Sequence, residues 1–291
     1  MTSQSVQEEN QPLIIRVLTS NILSTDRASW ERRRQAARTG LRALRPDILA
    51  LQETAPGQAQ DQVTDLLGPE YYVVENPVRS GGMVGAALGS RWPFDHVREV
   101  DLSVAPRVPS ASAVVAEVEL PQPFGVTVLV HHGAAYQFGY ARERELQAVA
   151  CARFVEDYVA GRNAHVVLLG DFNDTPIRRV CGFGLADSPS RVSAWRIRMP
   201  GRRSARPTLA IPSHPSNPLV RAGEMPLELG RRIDYIMIRS GVHGPTLAIG
   251  DCRRVLDKSH AGIWASDHFG VVAELQVPTH PPGAWQDIEC H

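Results

Sequence analysis

The amino-acid sequence predicts a single α/β domain, and three observations predict it. Short apolar runs rich in β-branched residues alternate with two stretches of helical periodicity, and Gly and Pro punctuate the gaps between them. A chain of 291 residues, 43% hydrophobic and 21% charged, matches a soluble protein with one large core rather than a disordered or fibrous chain.

The elements follow in order. Residues 13–19 form a short apolar run that reads as a buried strand and ends at Ser20 and Asn21. Apolar or small residues at helical spacing among arginines predict an amphipathic helix over 30–44, with Pro46 just past its end. Residues 47–51 return to a buried strand that closes on Gln52 and Glu53. Further strands are read at Val73 with Val74, 83–88, 113–120 and 126–130, a helix at 142–158, and a strongly apolar strand at 165–169 followed by Gly170, Asp171, Phe172 and Asn173. Residues 174–230 are rich in Pro and Arg and weakly periodic, so they read as loops with short elements facing a substrate. Strands resume at 233–238 and 269–275. No internal repeat or linker divides the chain, so the expected division is one domain over 12–277 and a peripheral Pro-rich tail over 278–291.

Lys plus Arg equals Asp plus Glu, at 31 each, so no global positive field gathers polyanions from a distance, and any phosphate recognition is local. Arginines cluster at 32–34, 202–203, 231–232 and 253–254. Such runs usually mark a solvated face, and only Arg231 with Arg232 gains a claim to function, from nearby Asp234. The first twelve residues are polar and acidic, without a basic start and apolar stretch, and no apolar run reaches membrane-spanning length. A cytoplasmic protein is expected. Cys151, Cys181, Cys252 and Cys290 are scattered without a Cys-x-x-Cys pair, which signals neither a zinc site nor a disulfide framework.

Polar, metal-competent residues recur at or beside the ends of apolar strands: Asn21, Glu53, His132, Asp171 with Asn173, Asp234, and Asp267 with His268. Taken singly, Glu53 reads as a turn carboxylate and Asp171 as a helix cap. Taken jointly they ask for another account, because the ends of adjacent strands converge on one rim and can surround a single ligand.

Six motifs in order, Thr-Ser-Asn21, Leu-Gln-Glu53-Thr, the pair His131 and His132, Gly-Asp171-Phe-Asn173, Arg-Ile-Asp234-Tyr and Ser-Asp267-His268, resemble the endonuclease/exonuclease/phosphatase superfamily over roughly Leu13 to Leu275. The resemblance implies the DNase I-like fold, an α/β four-layer sandwich of two packed, mostly antiparallel or mixed β-sheets flanked by helices. It implies Glu53 as the principal carboxylate on Mg²⁺ or Mn²⁺, with Asn21 and Asp267 as direct or water-mediated ligands. It also implies His268 as general base or electrostatic partner of the phosphate, oriented by Asp234. Asp171 would orient the attacking water and Asn173 would donate to the transition state. His132 matches the histidine that contacts the phosphate and assists the leaving group. Many relatives read Thr-His-Leu where this chain reads His131, His132, Gly133, so His131 stays a fallback.

The expected activity is therefore metal-dependent hydrolysis of a phosphomonoester or phosphodiester by a monomer. A small molecule or lipid headgroup is favoured over duplex DNA, because backbone binding asks for clustered cations. Abasic-site endonucleases of the superfamily present tyrosine and asparagine where this chain presents histidine, which lowers the DNA-repair reading. Two rivals remain: a nuclease acting on single strands or nicks, and a binding module that has lost its chemistry. Tyr136, Tyr140, Arg142 and Glu145 are read as packing or surface residues in preference to substrate contacts.

Overall fold

The computed structural model describes residues 13–27, 29–76, 84–108, 110–175, 195–197 and 216–284. Its first sheet contains β1 (Ile15–Asn21), β2 (Ile48–Thr54), β3 (Tyr72–Asn76), β4 (Gly85–Ser90), β12 (Ala248–Val255) and β13 (Gly270–Gln276), in the order β12-β13-β1-β2-β4-β3. The second contains β5 (Phe94–Asp101), β6 (Ser112–Leu120), β7 (Gly125–His132), β8 (His165–Asp171), β10 (Asp234–Gly241) and β11 (Gly244–Pro245), in the order β11-β10-β8-β7-β6-β5, with β9 (Trp195–Ile197) paired to β10. Among the described residues only the β1–β2 and β7–β8 pairs are parallel, so both sheets are mixed.

Three apolar clusters separate four layers. Val17, Ile48 and Ala273 of the first sheet meet Ala116, Leu129, Leu169 and Ile236 of the second in a core between the sheets. The outer face of the first sheet, with Leu18, Leu49 and Val272, is covered by α1 (Trp30–Leu44) and α2 (Ala59–Leu67) through Ala37, Leu41, Val63 and Leu66. The outer face of the second, with Val128, Leu168 and Met237, is covered by α3 (Ala141–Tyr158) through Ala148, Cys151 and Val155. A strand exposes alternate residues to its two faces, so central strands buried on both sides must be apolar almost throughout. That is why β2, β7 and β8 stand out in the sequence as continuous runs.

The expected helices over 30–44 and 142–158 and the central strands are present. The expected strand over 83–88 is β4, shifted two residues later at Gly85–Ser90; Met83 lies outside the described residues. Six elements among the described residues were not read from the sequence: β5, β9, β11, β12, α2 and α4 (Pro218–Ala222). β5 (Phe-Asp-His-Val-Arg-Glu-Val-Asp) is an exposed edge, and β12 carries Asp251, Arg253 and Arg254 on another. Charged edges of this kind discourage pairing with a second chain. The helix α2 is short, and α4 lies in the stretch read as loops, where β9 also falls. Of that stretch, 176–194 and 198–215 lie outside the described residues. Among the described residues no helix is long and apolar enough to cross a membrane.

Sheet direction gathers the polar strand ends. β1, β2, β7 and β8 deliver Asn21, Glu53, His132 and Asp171 at their carboxyl ends. β10 runs antiparallel to β8, so its first residue, Asp234, lies directly opposite Asp171. β13 runs antiparallel to β1, so the segment entering it, which carries Asp267 and His268, arrives beside Asn21.

Candidate active site

The site is a chain of hydrogen bonds from one sheet to the other. Asn21 Nδ2 donates to Glu53 Oε1 at 2.9 Å and to Asp171 Oδ2 at 3.3 Å, linking β2 to β8. The Leu23 amide donates to Asn21 Oδ1 at 3.0 Å, and the Ser24 amide to Glu53 Oε2 at 3.0 Å. On the other side, His268 Nδ1 lies 3.0 Å from Asp234 Oδ2, and His268 Nε2 lies 3.9 Å from Asp171 Oδ2. The Ser266 hydroxyl donates to Asp267 Oδ1 at 3.2 Å and accepts the His268 amide at 3.1 Å. Asn173 donates its backbone amide to Asp171 Oδ1 at 2.9 Å and its side chain to the Ala134 carbonyl at 3.1 Å.

Backbone strain marks the same residues. Glu53 has φ 60° and Asn173 φ 50°, a left-handed conformation that costs about 1–3 kcal/mol for an ordinary side chain and clusters at functional sites. At Glu53 it coincides with a register shift between β2 and β4. A bulge of this kind breaks the strict alternation and re-aims one side chain. Gly170 supplies φ 153°, and a Cβ there would sit 1.9 Å from the His132 carbonyl oxygen; the first residue of Gly-Asp-Phe-Asn must be glycine for β7 and β8 to close.

The electrostatics ask for positive charge. Burial and the charge of Asp234 push the Asp171 carboxyl up to about 7. Burial alone would lower the His268 imidazole, but Asp234, Asp171 and Asp267 hold it well above its ordinary value. His268 is therefore held between Asp234 and Asp171, whose charges favour its protonated form. Among the described residues Asp234 Oδ1 is buried with no hydrogen-bond partner, an orphaned acceptor of the kind a cation would satisfy. One ligand atom each from Asp171, Asp234 and His268 lies within 4.8 Å of the others. With Glu53 and Asp267 alongside, the donor set is rich in hard oxygen and suits a divalent cation such as Mg²⁺ or Mn²⁺.

Seven of the eight expected residues thus join, directly or through neighbours, around one rim. His132 does not join by hydrogen bonding: its ring lies 5.1 Å from Phe172, fully buried, with neither nitrogen partnered among the described residues. Burial pushes it down to about 4, so it is neutral at neutral pH. His131 points the other way, between the sheets, where Gln52 Nε2 stands 2.9 Å from its Nε2. Alternation along β7 places the two histidines on opposite faces, His131 on that of Asp171 and His132 on the side covered by α3.

Two neighbours of the site, Arg33 and Asn217, carried no signal in the sequence, whereas Arg231 did. Arg33, in a run read as a solvated face, is 2% exposed, a correction with a simple cause: the run faces solvent on two sides of the helix and the core on the third. Arg231 reaches the Asn173 carbonyl at 3.2 Å, pairs with Glu228 at 2.6 Å and lies over Phe138. Asn217 caps α4 and donates to the Ser266 carbonyl at 2.8 Å.

A family model described as Endonuclease/Exonuclease/phosphatase family matches residues 18–268. The chain belongs to this family. No curated protein matches it at significant similarity. Among solved structures, the endonuclease/exonuclease/phosphatase family member closely shares its outline with several proteins: D. rerio TDP2 complexed with single strand DNA product (17% identity, TM-score 0.68, 91% of this chain and 99% of that one); the human Nocturnin catalytic domain with bound sulfate anion (18%, TM-score 0.64, 92% and 96%); and an endonuclease/exonuclease/phosphatase from Bacteroides vulgatus (18%, TM-score 0.67, 91% and 100%). ANGEL2, a 2',3'-cyclic phosphatase seen with adenosine-2',3'-vanadate, is similar at 13% identity and TM-score 0.66 over 91% of this chain and 96% of that one. At these identities the likeness establishes the DNase I-like fold of this family member.

Proposed function

We propose that this chain is a phosphoesterase dependent on Mg²⁺ or Mn²⁺, in which water cleaves a phosphomonoester or phosphodiester. The observation that carries the reading is the imidazole of His268 held by Asp234 at 3.0 Å and facing Asp171 at 3.9 Å, with Asn21 joining Asp171 to Glu53. Glu53, Asp267 and Asn21 would hold the ion. When bound, it supplies Lewis-acid charge that draws electron density from a non-bridging phosphate oxygen.

The chain's own residues do the rest. Asp234 fixes the tautomer and orientation of His268 through Nδ1. His268 presents Nε2 toward Asp171, where it stabilises the negative charge that builds on the phosphoryl group, or takes a proton from water once neutral. Asp171, with its raised affinity for a proton, orients and accepts from the attacking water. Asn173, anchored through Ala134, offers an amide to the transition state. His132 lies behind Phe172 on the face covered by α3, apart from the hydrogen-bonded group, and is assigned no step.

The catalytic unit is taken as 12–277 and 278–291 as a peripheral tail, residues 12 and 285–291 lying outside the described residues, and the unit is taken to act as a cytoplasmic monomer. Balanced charge favours a small phosphate ester or lipid headgroup as substrate. A second reading, single-stranded nucleic acid or a cyclic phosphate end, is favoured by the resemblance to TDP2 with its DNA product and to ANGEL2. A panel of phosphate esters, including single-stranded DNA and a 2',3'-cyclic nucleotide, run with and without chelator, separates them. Release of phosphate or alcohol only with metal supports the proposal, and no release from any ester overturns it.

A further inference from the structure

Arg33 is among the largest fully buried side chains of the protein. Its guanidinium donates to five backbone carbonyls: Nη1 to Ile22 at 2.9 Å and Ala265 at 3.2 Å, and Nη2 to Leu23 at 3.0 Å, Ser24 at 2.9 Å and Arg27 at 2.8 Å. Four of these lie in the turn leaving β1, immediately after Asn21. The fifth is 232 residues away in sequence, one residue before Ser266.

Both segments carry the site on their opposite side. The turn that Arg33 holds by its carbonyls presents its amides to the site, Leu23 N to Asn21 and Ser24 N to Glu53. The segment behind Ala265 orients Asp267 and His268 through Ser266. A planar fork of fixed donors suits this task as a flexible ammonium does not. Burial lowers the guanidinium's proton affinity, while the charges of Asp267, Glu53 and Asp26 oppose that; Arg33 therefore stands within electrostatic reach of both carboxylates expected to hold the ion.

We propose that Arg33 is the positioning residue of the ion-holding face, clamping the turn behind Asn21 and Glu53 to the segment behind Asp267 and His268 so that the carboxylates stand at a fixed separation. This rests on Glu53 and Asp267 being the residues that hold the ion. Loss of the clamp lets the two segments move apart, and the carboxylates then no longer keep the separation a cation needs. Supporting groups of this kind change metal affinity by about 10–100-fold.

The test titrates Mn²⁺ alone into wild type, Arg33→Lys, Arg33→Gln and Glu53→Gln by calorimetry, with urea unfolding of each in parallel. Arg33→Lys keeps the charge and loses the fork. The expected result is Mn²⁺ binding about 10-fold weaker or worse in both Arg33 variants, even where they remain folded, and abolished in Glu53→Gln. Arg33 variants that lose stability yet bind Mn²⁺ as wild type does, beside a Glu53→Gln that does not bind, overturn the clamp alone. Unchanged binding in Glu53→Gln overturns the ion-holding reading beneath it. A measurement without substitution guards against variants that do not fold: in wild type, Mn²⁺ should slow amide exchange at Leu23, Ser24 and His268 together. Slowing at His268 with none at Leu23 and Ser24 overturns the coupling.

Discussion

Replacing His132 with phenylalanine should flatten the acid sensitivity of the fold. Burial holds His132 at about 4, against 6.5 for a free imidazole. The unfolded chain therefore takes up a proton below pH 6.5 that the folded chain refuses until about 4. The stability this site contributes is complete above the unfolded value and is lost as pH falls through that window. Within it the slope is about 1.4 kcal/mol per pH unit for one proton, and the whole interval integrates to roughly 3 kcal/mol. His131, pushed down to about 3 by burial and by its neighbour's charge, adds a slope of the same sign. Asp171, raised to about 7, has the opposite sign, since its native form binds the extra proton. The comparison of variants isolates one histidine from this sum. Among the described residues neither nitrogen of His132 has a partner, so the phenyl ring orphans no hydrogen bond there. Urea-unfolding free energies stepped from about pH 7 to about pH 4.5 should fall less steeply in His132→Phe, by about 1.4 kcal/mol per unit. Equal slopes in the two proteins would refute a buried, neutral His132.

Gly170→Ala should destabilise by at least ~3 kcal/mol in urea unfolding, because a Cβ would meet the His132 carbonyl at 1.9 Å and φ 153° is strained for alanine; a midpoint equal to wild type would contradict the close approach of β7 and β8. His268→Ala should lower kcat by about 10²–10⁴-fold with metal present, the usual worth of a positioned acid–base group, and an unchanged kcat would remove His268 from the chemistry. Asp234→Asn should lower kcat by about 10–100-fold while circular dichroism stays that of wild type; an unaltered kcat would remove Asp234 from the machinery. Leu49→Ala, fully buried under α1 and α2, should cost about 2–5 kcal/mol without changing metal affinity, and a change in Mn²⁺ binding there would tie the outer core to the site.

The core and the rim were legible for a shared reason. Strands buried on both faces, such as β2 and β8, cannot hide their apolar runs, and chemistry placed where those runs stop is visible as Asn21, Glu53 and Asp171. The edges were not legible, because β5 and β12 carry charged residues that discourage pairing with a second chain, and charge reads as loop. Arg33 was hidden by its neighbours: Arg32 and Arg34 face solvent on the same helix, and sequence alone does not show which turn points inward. His131 and His132 show how far alternation goes. It separates the two rings onto opposite faces of β7, yet only the structure shows that one meets Gln52 and the other Phe172. The bulge that re-aims Glu53 carries no sequence mark, since it depends on how β2 registers with β4.

The arrangement stands or falls on where a divalent cation goes. A crystal grown with Mn²⁺ and measured at the manganese absorption edge should show one dominant anomalous peak bounded by Glu53, on the Asn21 and Asp267 side of the His268 imidazole. No peak near Glu53, or a peak elsewhere on the molecule, would contradict it.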